Sequence, residues 1–295
     1  MQHSLTYYLT HTVLKAKGIK KDFSASPIDY IKVRKDDILK PSGRFYKKHI
    51  TKEWEVANSK LTEINNKTCS DSLLLYVHGG AFISGPGKHH WDSLQTIAQK
   101  TTTTIWMCNY PKAPEYGVSE ISQSIDAVYA AALEKFPAHK ITLMGDSAGG
   151  TLITNLTQRL LLKGISLPKE LLLISPVMDA SLSNPEISKI DPKDPMLSYE
   201  GVLSAKKMYA KNYLLTAAEV SPLYGSFKGF PKTTFFIASH DITYPDQLLT
   251  IEKMRKDGIV VEVFEGDQMP HIWPLLPVMK EAKIALKRII GLLNS

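Results

Sequence analysis

The segment Ile141-Thr142-Leu143-Met144-Gly145-Asp146-Ser147-Ala148-Gly149-Gly150 decides the fold of this 295-residue chain. Its apolar start predicts a buried strand, and the stretch from Ala148 to Leu162, rich in Leu, Thr and Ala, predicts a helix. A serine flanked by glycines at such a junction is typical of a sharp, strained strand-to-helix turn, where the helix passes close to the strand. The positive end of the helix dipole then faces Ser147. A hydroxyl placed there can attack a carbonyl carbon, although many glycine-flanked serines merely shape a turn.

A second glycine-rich loop lies upstream, where His78-Gly79-Gly80-Ala81 follows the apolar run Leu73–Val77. Small residues in a tight loop allow consecutive backbone N–H groups to point at one carbonyl oxygen. We expect the N–H groups of Gly80 and Ala81 to form an oxyanion hole together with that of Ala148. The alternative is a plain Gly-Gly turn that closes a strand.

Together the two loops resemble those of the hormone-sensitive-lipase-like branch of the α/β-hydrolase superfamily, whose signatures are an H-G-G-G-type loop and G-D-S-A-G-G. Further matching segments follow in chain order: Tyr110–Glu115, Asp194–Ser198 and Ser221–Gly225. The resemblance therefore runs from about residue 73 to the C-terminus. It implies an α/β-hydrolase fold with a mostly parallel central sheet, helices on both faces and a helical cap.

The resemblance also implies supporting roles for three residues of the two loops. His78 takes a structural hydrogen-bonding role, and Gly79 and Asp146 support the turn and the oxyanion loop. The chain departs from the family pattern at Ala81, which replaces the third glycine of the loop. Because alanine tolerates positive φ poorly, we expect Ala81 to lie at negative φ.

A serine nucleophile needs a base and an acid that orients the base, and in this fold the chain order is Ser, Asp or Glu, then His. Asp241 lies just past the strand-like run 234–238, where the family carries its acid. Asp246 is a second candidate five residues later, although an acidic residue at a helix start is also favoured by the dipole. Asp241 is therefore the predicted acid.

His271 is the predicted base among nine histidines, because it follows the last predicted strand, 259–264, and opens a loop before a C-terminal helix. His240 is the main rival, but a residue adjacent to Asp241 in an extended segment points to the opposite face. The predicted triad is therefore Ser147, Asp241 and His271.

Short apolar runs alternate with amphipathic stretches along most of the chain, which predicts a parallel sheet with helices on both faces. The predicted strands lie near 72–77, 104–109, 140–144, 170–175, 233–239 and 259–264, and the predicted helices at 118–135, 148–163, 198–214, 245–257 and 276–292. Segments 29–35 and 44–57 are candidate antiparallel opening strands. The triad residues then all fall at the carboxyl ends of strands, where such sheets carry their sites.

Two stretches fall outside this alternation, and we expect them to form a cap on a single domain that spans 1–295. The first is about 1–40, and the second, about 177–215, contains the proline-rich segment Asp191–Pro195. Apolar or aromatic side chains within the second stretch favour a pocket-lining cap over a surface loop: Met178, Leu197, Tyr199, Met208 and Tyr213.

Composition argues against several other classes of protein. The net charge of +7 comes from scattered lysines, which argues against nucleic-acid binding, and no stretch reaches the 18 apolar residues of a membrane span. No nucleotide-binding motif occurs, and the pair His89-His90 lacks further ligands at metal-site spacing, so we predict neither cofactor nor metal. The N-terminus lacks a signal-peptide pattern, and Cys69 and Cys108 lack metal-type spacing; together these predict a cytoplasmic protein with reduced thiols.

These observations predict a serine carboxylic-ester hydrolase whose partner is a small ester with a short to medium acyl chain, and a homodimer is possible from the resemblance. Two alternatives stay open. The same machinery serves amidases and formamidases, and a receptor-like hydrolase fold binds ligands without catalysis. The complete triad in the expected order favours an enzyme.

Overall fold

The computed structural model describes residues 3–65 and 71–295, and an eight-stranded sheet lies at their centre. The strands are β1 (Ile50–Val56), β2 (Ser59–Ile64), β3 (Leu73–Val77), β4 (Thr104–Asn109), β5 (Ile141–Asp146), β6 (Glu170–Ile174), β7 (Lys232–Ala238) and β8 (Val261–Gly266). Their order across the sheet is β1-β2-β4-β3-β5-β6-β7-β8. Strands β3 to β8 pair in parallel with their neighbours among themselves. The two opening strands are antiparallel: β1 pairs with β2, and β2 pairs with β4. The chain therefore has the predicted α/β-hydrolase architecture.

Helices cover both faces of the sheet. They are α1 (Leu5–Lys17), α2 (Ile19–Asp22), α3 (Tyr30–Val33), α4 (Arg44–His49), α5 (Lys88–Lys100), α6 (Val118–Leu133), α7 (Ala148–Lys163), α8 (Ile187–Ile190), α9 (Tyr199–Ala210), α10 (Tyr244–Lys256) and α11 (Lys280–Leu293). Because side chains alternate along a strand, Leu75 packs in the core with α6 and α7, and Leu74 packs in the opposite core with α5 and α11. The central parallel strands β3, β5 and β6 are buried on both faces, which explains their continuous apolar runs.

The prediction for the opening strands is wrong at 29–35 and only partly right at 44–57. The first segment contains α3, whose first turn is capped by the Asp29 carboxylate, 2.9 Å from the Lys32 backbone nitrogen. The second segment begins with α4 and becomes strand only at Ile50. The partner strand β2 and helix α5 were not predicted. One face of β1 is exposed, so its sequence lacks the apolar run that identifies the buried strands.

The two segments predicted to form a cap contact each other. The Lys20 ammonium donates to the backbone carbonyl of Asp191 and, at 3.0 Å, to that of Asp194. The Ile28 N–H group donates to the Ser204 hydroxyl at 2.9 Å, which joins the N-terminal segment to α9. A surface cavity of about 430 Å³ lies beside this junction and is lined by Ser26, Pro27, Ser204, Lys207 and Met208. None of the predicted triad residues lines it.

The cysteines and the apolar character of the helices are the features of composition that the structure describes. Cys108 is fully buried in β4 and forms no disulfide, whereas Cys69 lies outside the described residues. Among the helices of residues 3–65 and 71–295, none combines the length and the apolar character needed to cross a bilayer.

Candidate active site

Ser147 occupies the turn between β5 and α7, with φ 49° and ψ −121°. A left-handed φ is strained for a residue with a side chain, and the glycines beside it explain how the turn forms. A Cβ atom at Gly145 would lie 2.6 Å from the Gly149 carbonyl carbon. One at Gly149 would lie 2.0 Å from the Val77 carbonyl oxygen at the end of β3. Helix α7 can therefore approach the sheet only because both positions lack side chains, as predicted.

The loop after β3 differs from the prediction at one residue. Ala81 lies at φ 53°, so the expectation of a negative φ is wrong, and Phe82 follows at φ 66°. Tight hydrogen bonding overrides the local preference of alanine. The Gly80 carbonyl accepts from the N–H groups of Ile83 and Ser84, each at 3.0 Å, and the Phe82 carbonyl accepts from Ala113 at 3.0 Å.

The three predicted oxyanion donors, the backbone N–H groups of Gly80, Ala81 and Ala148, have no acceptor within residues 3–65 and 71–295. Ala148 is the first residue of α7, and the first N–H groups of a helix have no partner inside the helix. The Cβ position of Gly79 lies 3.0 Å from Ser147 Cβ, so the loop and the serine turn are in contact. Two of the predicted donors therefore belong to a loop that contacts the serine turn, and the third begins the helix that follows the serine.

Asp146 joins the loop to the serine turn. Its carboxylate is buried and accepts hydrogen bonds from the Tyr76 hydroxyl at 2.5 Å and the Gly79 N–H group at 2.9 Å. Burial raises the pKa of Asp146, but His90 and the Tyr76 hydroxyl offset this and hold the pKa below its usual value. An ionised Asp146 thus fixes the position of Gly79, whose added side chain would lie 2.3 Å from the same carboxylate.

The His78 side chain is buried within the loop after β3 and contacts other residues of the protein core. Its ring donates from Nδ1 to the Gly79 carbonyl at 2.5 Å and stacks on Tyr110 with 4.6 Å between the ring centroids. Burial, together with the charge of Lys112, holds the pKa of His78 well below its usual value. A neutral ring with these contacts supports the backbone of the loop.

Asp241 and His271 form a buried pair. The Nδ1 atom of His271 lies 2.8 Å from Asp241 Oδ2, while Asp241 Oδ1 accepts from the Thr243 N–H group at 2.9 Å and its hydroxyl at 2.7 Å. Burial lowers the pKa of His271, but the adjacent carboxylate of Asp241 outweighs burial and the net shift is upward. Burial likewise raises the pKa of Asp241, but the contact with His271 outweighs burial and holds this pKa below its usual value. This pairing holds the Nδ1 proton toward Asp241 and leaves Nε2 to face another group.

Ser147 and His271 converge on the end of β6. The Ser147 N–H group donates to the Ile174 carbonyl at 2.8 Å, and the N–H group of Ile272 donates to the hydroxyl of the next residue, Ser175, at 3.0 Å. Within the described residues no hydrogen bond joins the Ser147 hydroxyl to His271 Nε2. Catalytic hydrogen bonds of this kind are often long in the absence of substrate. The relative position of the two residues is therefore judged from their hydrogen bonds to Ile174 and Ser175 at the end of β6.

The two rival residues make other contacts. His240 forms no hydrogen bond to Asp241 in the described part of the chain, and its backbone N–H group donates to Met269. Asp246 is buried at the start of α10 and accepts from the Asn184 side chain at 3.0 Å. Neither therefore competes for the contacts of Asp241 and His271.

The sequence reasoning missed a further carboxylate beside the pair. Asp194 is 2 % exposed and accepts from the N–H groups of Met196, Leu197 and Ile242 at 2.8, 2.9 and 3.0 Å. Burial, and then the charge of Asp241, raises its pKa to about 7. Asp194 belongs to the segment Asp194–Ser198, which matches the family. This match is the feature of the sequence that points to Asp194 as a site residue.

One group of side chains has the composition of a metal site. Ligand atoms of His89, His90 and Asp146 lie within 4.8 Å of one another. However, His90 Nδ1 accepts from the Gly87 N–H group at 2.8 Å, which places the ring proton on Nε2, 3.2 Å from Asp146. Both ring nitrogens of His90 are thus used within the protein, and the two ligands that remain do not make a tetrahedral site.

Comparisons with known proteins agree with this architecture. A family model described as the alpha/beta hydrolase fold matches residues 74–275. An esterase from Acinetobacter venetianus is 28% identical over 235 residues, 77% of this chain and 76% of its own, and an acetyl-hydrolase from Streptomyces hygroscopicus is 24% identical over 72% of each chain. The crystal structure of an esterase from the bacterial hormone-sensitive lipase family superposes with a TM-score of 0.88 at 22% identity and covers 100% of this chain and 99% of its own. The chain therefore belongs to the α/β-hydrolase fold family and is an esterase- and lipase-like hydrolase.

Proposed function

We propose that this protein is a serine carboxylic-ester hydrolase that acts on small esters through Ser147, His271 and Asp241. The observation that carries the proposal is the buried 2.8 Å pair of His271 and Asp241, anchored to the same end of β6 as the strained serine turn. A buried acid paired with histidine Nδ1 is the arrangement by which such a base is oriented toward a serine.

The reaction has two halves. In the first, Ser147 Oγ attacks the ester carbonyl carbon, its proton passes to His271 Nε2, and the N–H groups of Gly80, Ala81 and Ala148 stabilise the oxyanion. The tetrahedral intermediate then collapses, and the alcohol leaves with the proton from His271. In the second half, His271 takes a proton from water, whose oxygen attacks the acyl carbon. The bond from this carbon to Ser147 Oγ then breaks, Oγ takes the proton back from His271, and the carboxylic acid leaves. Asp241 stabilises the imidazolium in both halves.

Short to medium acyl esters are the proposed substrates. Ser147 is only 8 % exposed and Ala81 only 7 %, so the approach to the nucleophile is narrow. The relative from Streptomyces hygroscopicus is named an acetyl-hydrolase, which supports a small acyl group. Hydrolysis of p-nitrophenyl esters from acetyl to palmitoyl tests the proposal, and rates that rise with the longest chains would contradict it.

The nucleophile is tested by Ser147→Ala, with the exposed serine variant Ser226→Ala as the matched control. We expect Ser147→Ala to abolish turnover and labelling by a fluorophosphonate, while the control keeps both. An unlabelled wild-type protein would instead favour a ligand-binding hydrolase fold. Comparison of an ester with the matching anilide separates esterase from amidase activity, and we expect the ester to react faster.

A further inference from the structure

Lys206 is a buried cation without an anionic partner. It lies in α9, its side chain is 1 % exposed, and its ammonium has no hydrogen-bond partner among residues 3–65 and 71–295. Lysine is almost never fully buried unless it is paired, because removing an ammonium group from water is costly. Burial lowers the pKa of Lys206 to about 7, and no acidic side chain offsets this shift. The charged form of Lys206 therefore lacks the counter-ion that its position demands.

The contact that Lys206 does make places it beside the oxyanion loop. Its Nζ atom lies 4.3 Å from the centroid of the Phe82 ring. Tyr209, one turn further along α9, stacks on the same ring with 3.8 Å between centroids and 5° between planes. The ring is thereby fixed between two residues of the helix. A cation over an aromatic face is stabilised, but the ring leaves the ammonium hydrogen atoms free to bind an acceptor.

Lys206 contacts the loop that carries two of the proposed oxyanion donors, and the same loop contacts the serine turn. Phe82 directly follows Ala81, whose N–H group is one of the proposed oxyanion donors. Gly79, three residues before Phe82, has its Cβ position 3.0 Å from Ser147 Cβ. Three residues of chain span at most about 10 Å, and this turn is far from extended. Contacts through Phe82 and Gly79 therefore connect Lys206 to the serine turn.

We propose that Lys206 is a specificity-determining residue that binds a carboxylate of the substrate, so that the preferred esters are half-esters of short dicarboxylic acids. The proposal rests on the proposed esterase function and specifies its substrate class. An anion at this position supplies the missing partner of the ammonium and gains a charge-assisted hydrogen bond in a water-poor environment. A neutral acyl chain of the same length leaves Lys206 unpaired.

The test compares kcat/KM for the p-nitrophenyl half-ester of glutaric acid with that for the neutral p-nitrophenyl butyrate. We expect Lys206→Met, which keeps an unbranched apolar chain, to lower kcat/KM at least tenfold for the half-ester and less than threefold for the butyrate. The matched control is Lys207→Met, because Lys207 is the exposed neighbour on the same helix, and it should change neither value. Equal losses on both esters, or no loss on either, would overturn the proposal.

A second measurement on the wild-type protein does not depend on the folding of a variant. Glutarate should inhibit butyrate hydrolysis at a concentration at least tenfold lower than glutaramide does, and equal inhibition by the two compounds contradicts carboxylate binding. Hydrolysis of the butyrate, with its loss in Ser147→Ala, reports on the esterase function itself. The esterase proposal can therefore hold while the proposed role of Lys206 fails.

Discussion

At the scale of single residues, the contact between Asp241 and His271 decides whether the proposed base has its proton on the correct nitrogen. In Asp241→Asn the amide can donate to Nδ1, which favours the tautomer with the proton on Nε2, where it cannot accept from a serine. We expect kcat to fall on the order of 10⁴-fold while the fold is kept. Steady-state kinetics on p-nitrophenyl butyrate, with circular dichroism as the check on folding, measures this.

The matched control for that variant is Asp246→Asn, because Asp246 is also a buried carboxylate near the start of α10. Its oxygen accepts from Asn184 and makes no contact with His271, so we expect kcat to change less than about threefold, although stability can change. A larger loss of kcat in Asp246→Asn than in Asp241→Asn would reverse the assignment of the acid.

Asp194 is one of the carboxylates whose charge raises the pKa of the proposed base, His271. The pKa of His271 is lowered by burial but raised overall by Asp241, Asp194 and Asp146, in that order. Activity requires neutral His271, so a raised pKa places the acid limb of the kcat/KM profile above the ordinary histidine value of about 6.5. Asp194→Asn removes one of these charges, and we expect the limb to move to lower pH, with less than about a tenfold change in kcat/KM at pH 8.

The pH–rate profiles of the wild-type protein and Asp194→Asn measure this shift. An acid limb that stays in place, or that moves to higher pH, contradicts a charge effect of Asp194 on His271. A merely structural role for Asp194 would lower the rate at every pH and leave the position of the limb unchanged.

Individual residues of the site differ in how well their positions could be predicted from the sequence. Ser147, Asp241 and His271 follow strands, and strand ends can be located from apolar runs alone. The sign of φ at Ala81 could not be predicted, because hydrogen bonds from Ile83 and Ser84 fix that turn against the preference of alanine. Asp194 reaches Ile242 from 48 residues away in the chain, and no local pattern encodes such a contact.

At the scale of elements, most of the strands that the sequence predicted, β3 to β7, are buried on both faces, and the last, β8, is half-buried. Strands β3 to β8 agree with the predicted ranges within a few residues. For β3 to β7 the reason is that helices on both faces demand continuous apolar side chains. The hairpin of β1 and β2 lies at the sheet edge with one exposed face. Its turn places Ala57 and Asn58 at positive φ, and alanine is not a residue that signals such a turn.

The close approach of α7 to β3 explains why small residues follow Ser147. In Gly149→Ala the added Cβ would lie 2.0 Å from the Val77 carbonyl oxygen, so the helix must move away from the sheet. We expect the free energy of unfolding to fall by about 3 kcal/mol or more, as for an overpacked core, together with loss of esterase activity. Urea unfolding followed by circular dichroism gives the first value and an ester assay the second.

Gly291→Ala is the control, since Gly291 is exposed within α11 and nothing lies within 4 Å of its Cβ position. Alanine is the better helix former, so we expect this variant to be about 0.5–1 kcal/mol more stable than the wild type, with unchanged activity. Similar effects of the two substitutions would show that packing between α7 and β3 is loose.

At the scale of the whole molecule, the segments 1–40 and 177–215 come from different parts of the chain and meet beside the site. The second segment carries Asp194, which contacts the residue after Asp241, and Lys206, which contacts the loop after β3. The first segment holds the second in place through Lys20 and Ile28. The position of the proposed substrate-binding residues therefore depends on contacts made by the N-terminal helices.

Lys20→Met tests this dependence, because it removes the hydrogen bonds from the ammonium to the carbonyl groups of Asp191 and Asp194 while keeping the aliphatic part of the side chain. Loss of such contacts costs on the order of 1 kcal/mol, so we expect KM for an ester to rise about fivefold, with kcat changed less than about twofold. Cleavage by trypsin within residues 15–48 should also become faster. The neighbouring exposed lysine supplies the control: Lys21→Met should leave KM and the cleavage rate as they are. If kcat falls while KM stays constant, the prediction is contradicted, because the N-terminal segment then affects the chemical step and not substrate binding.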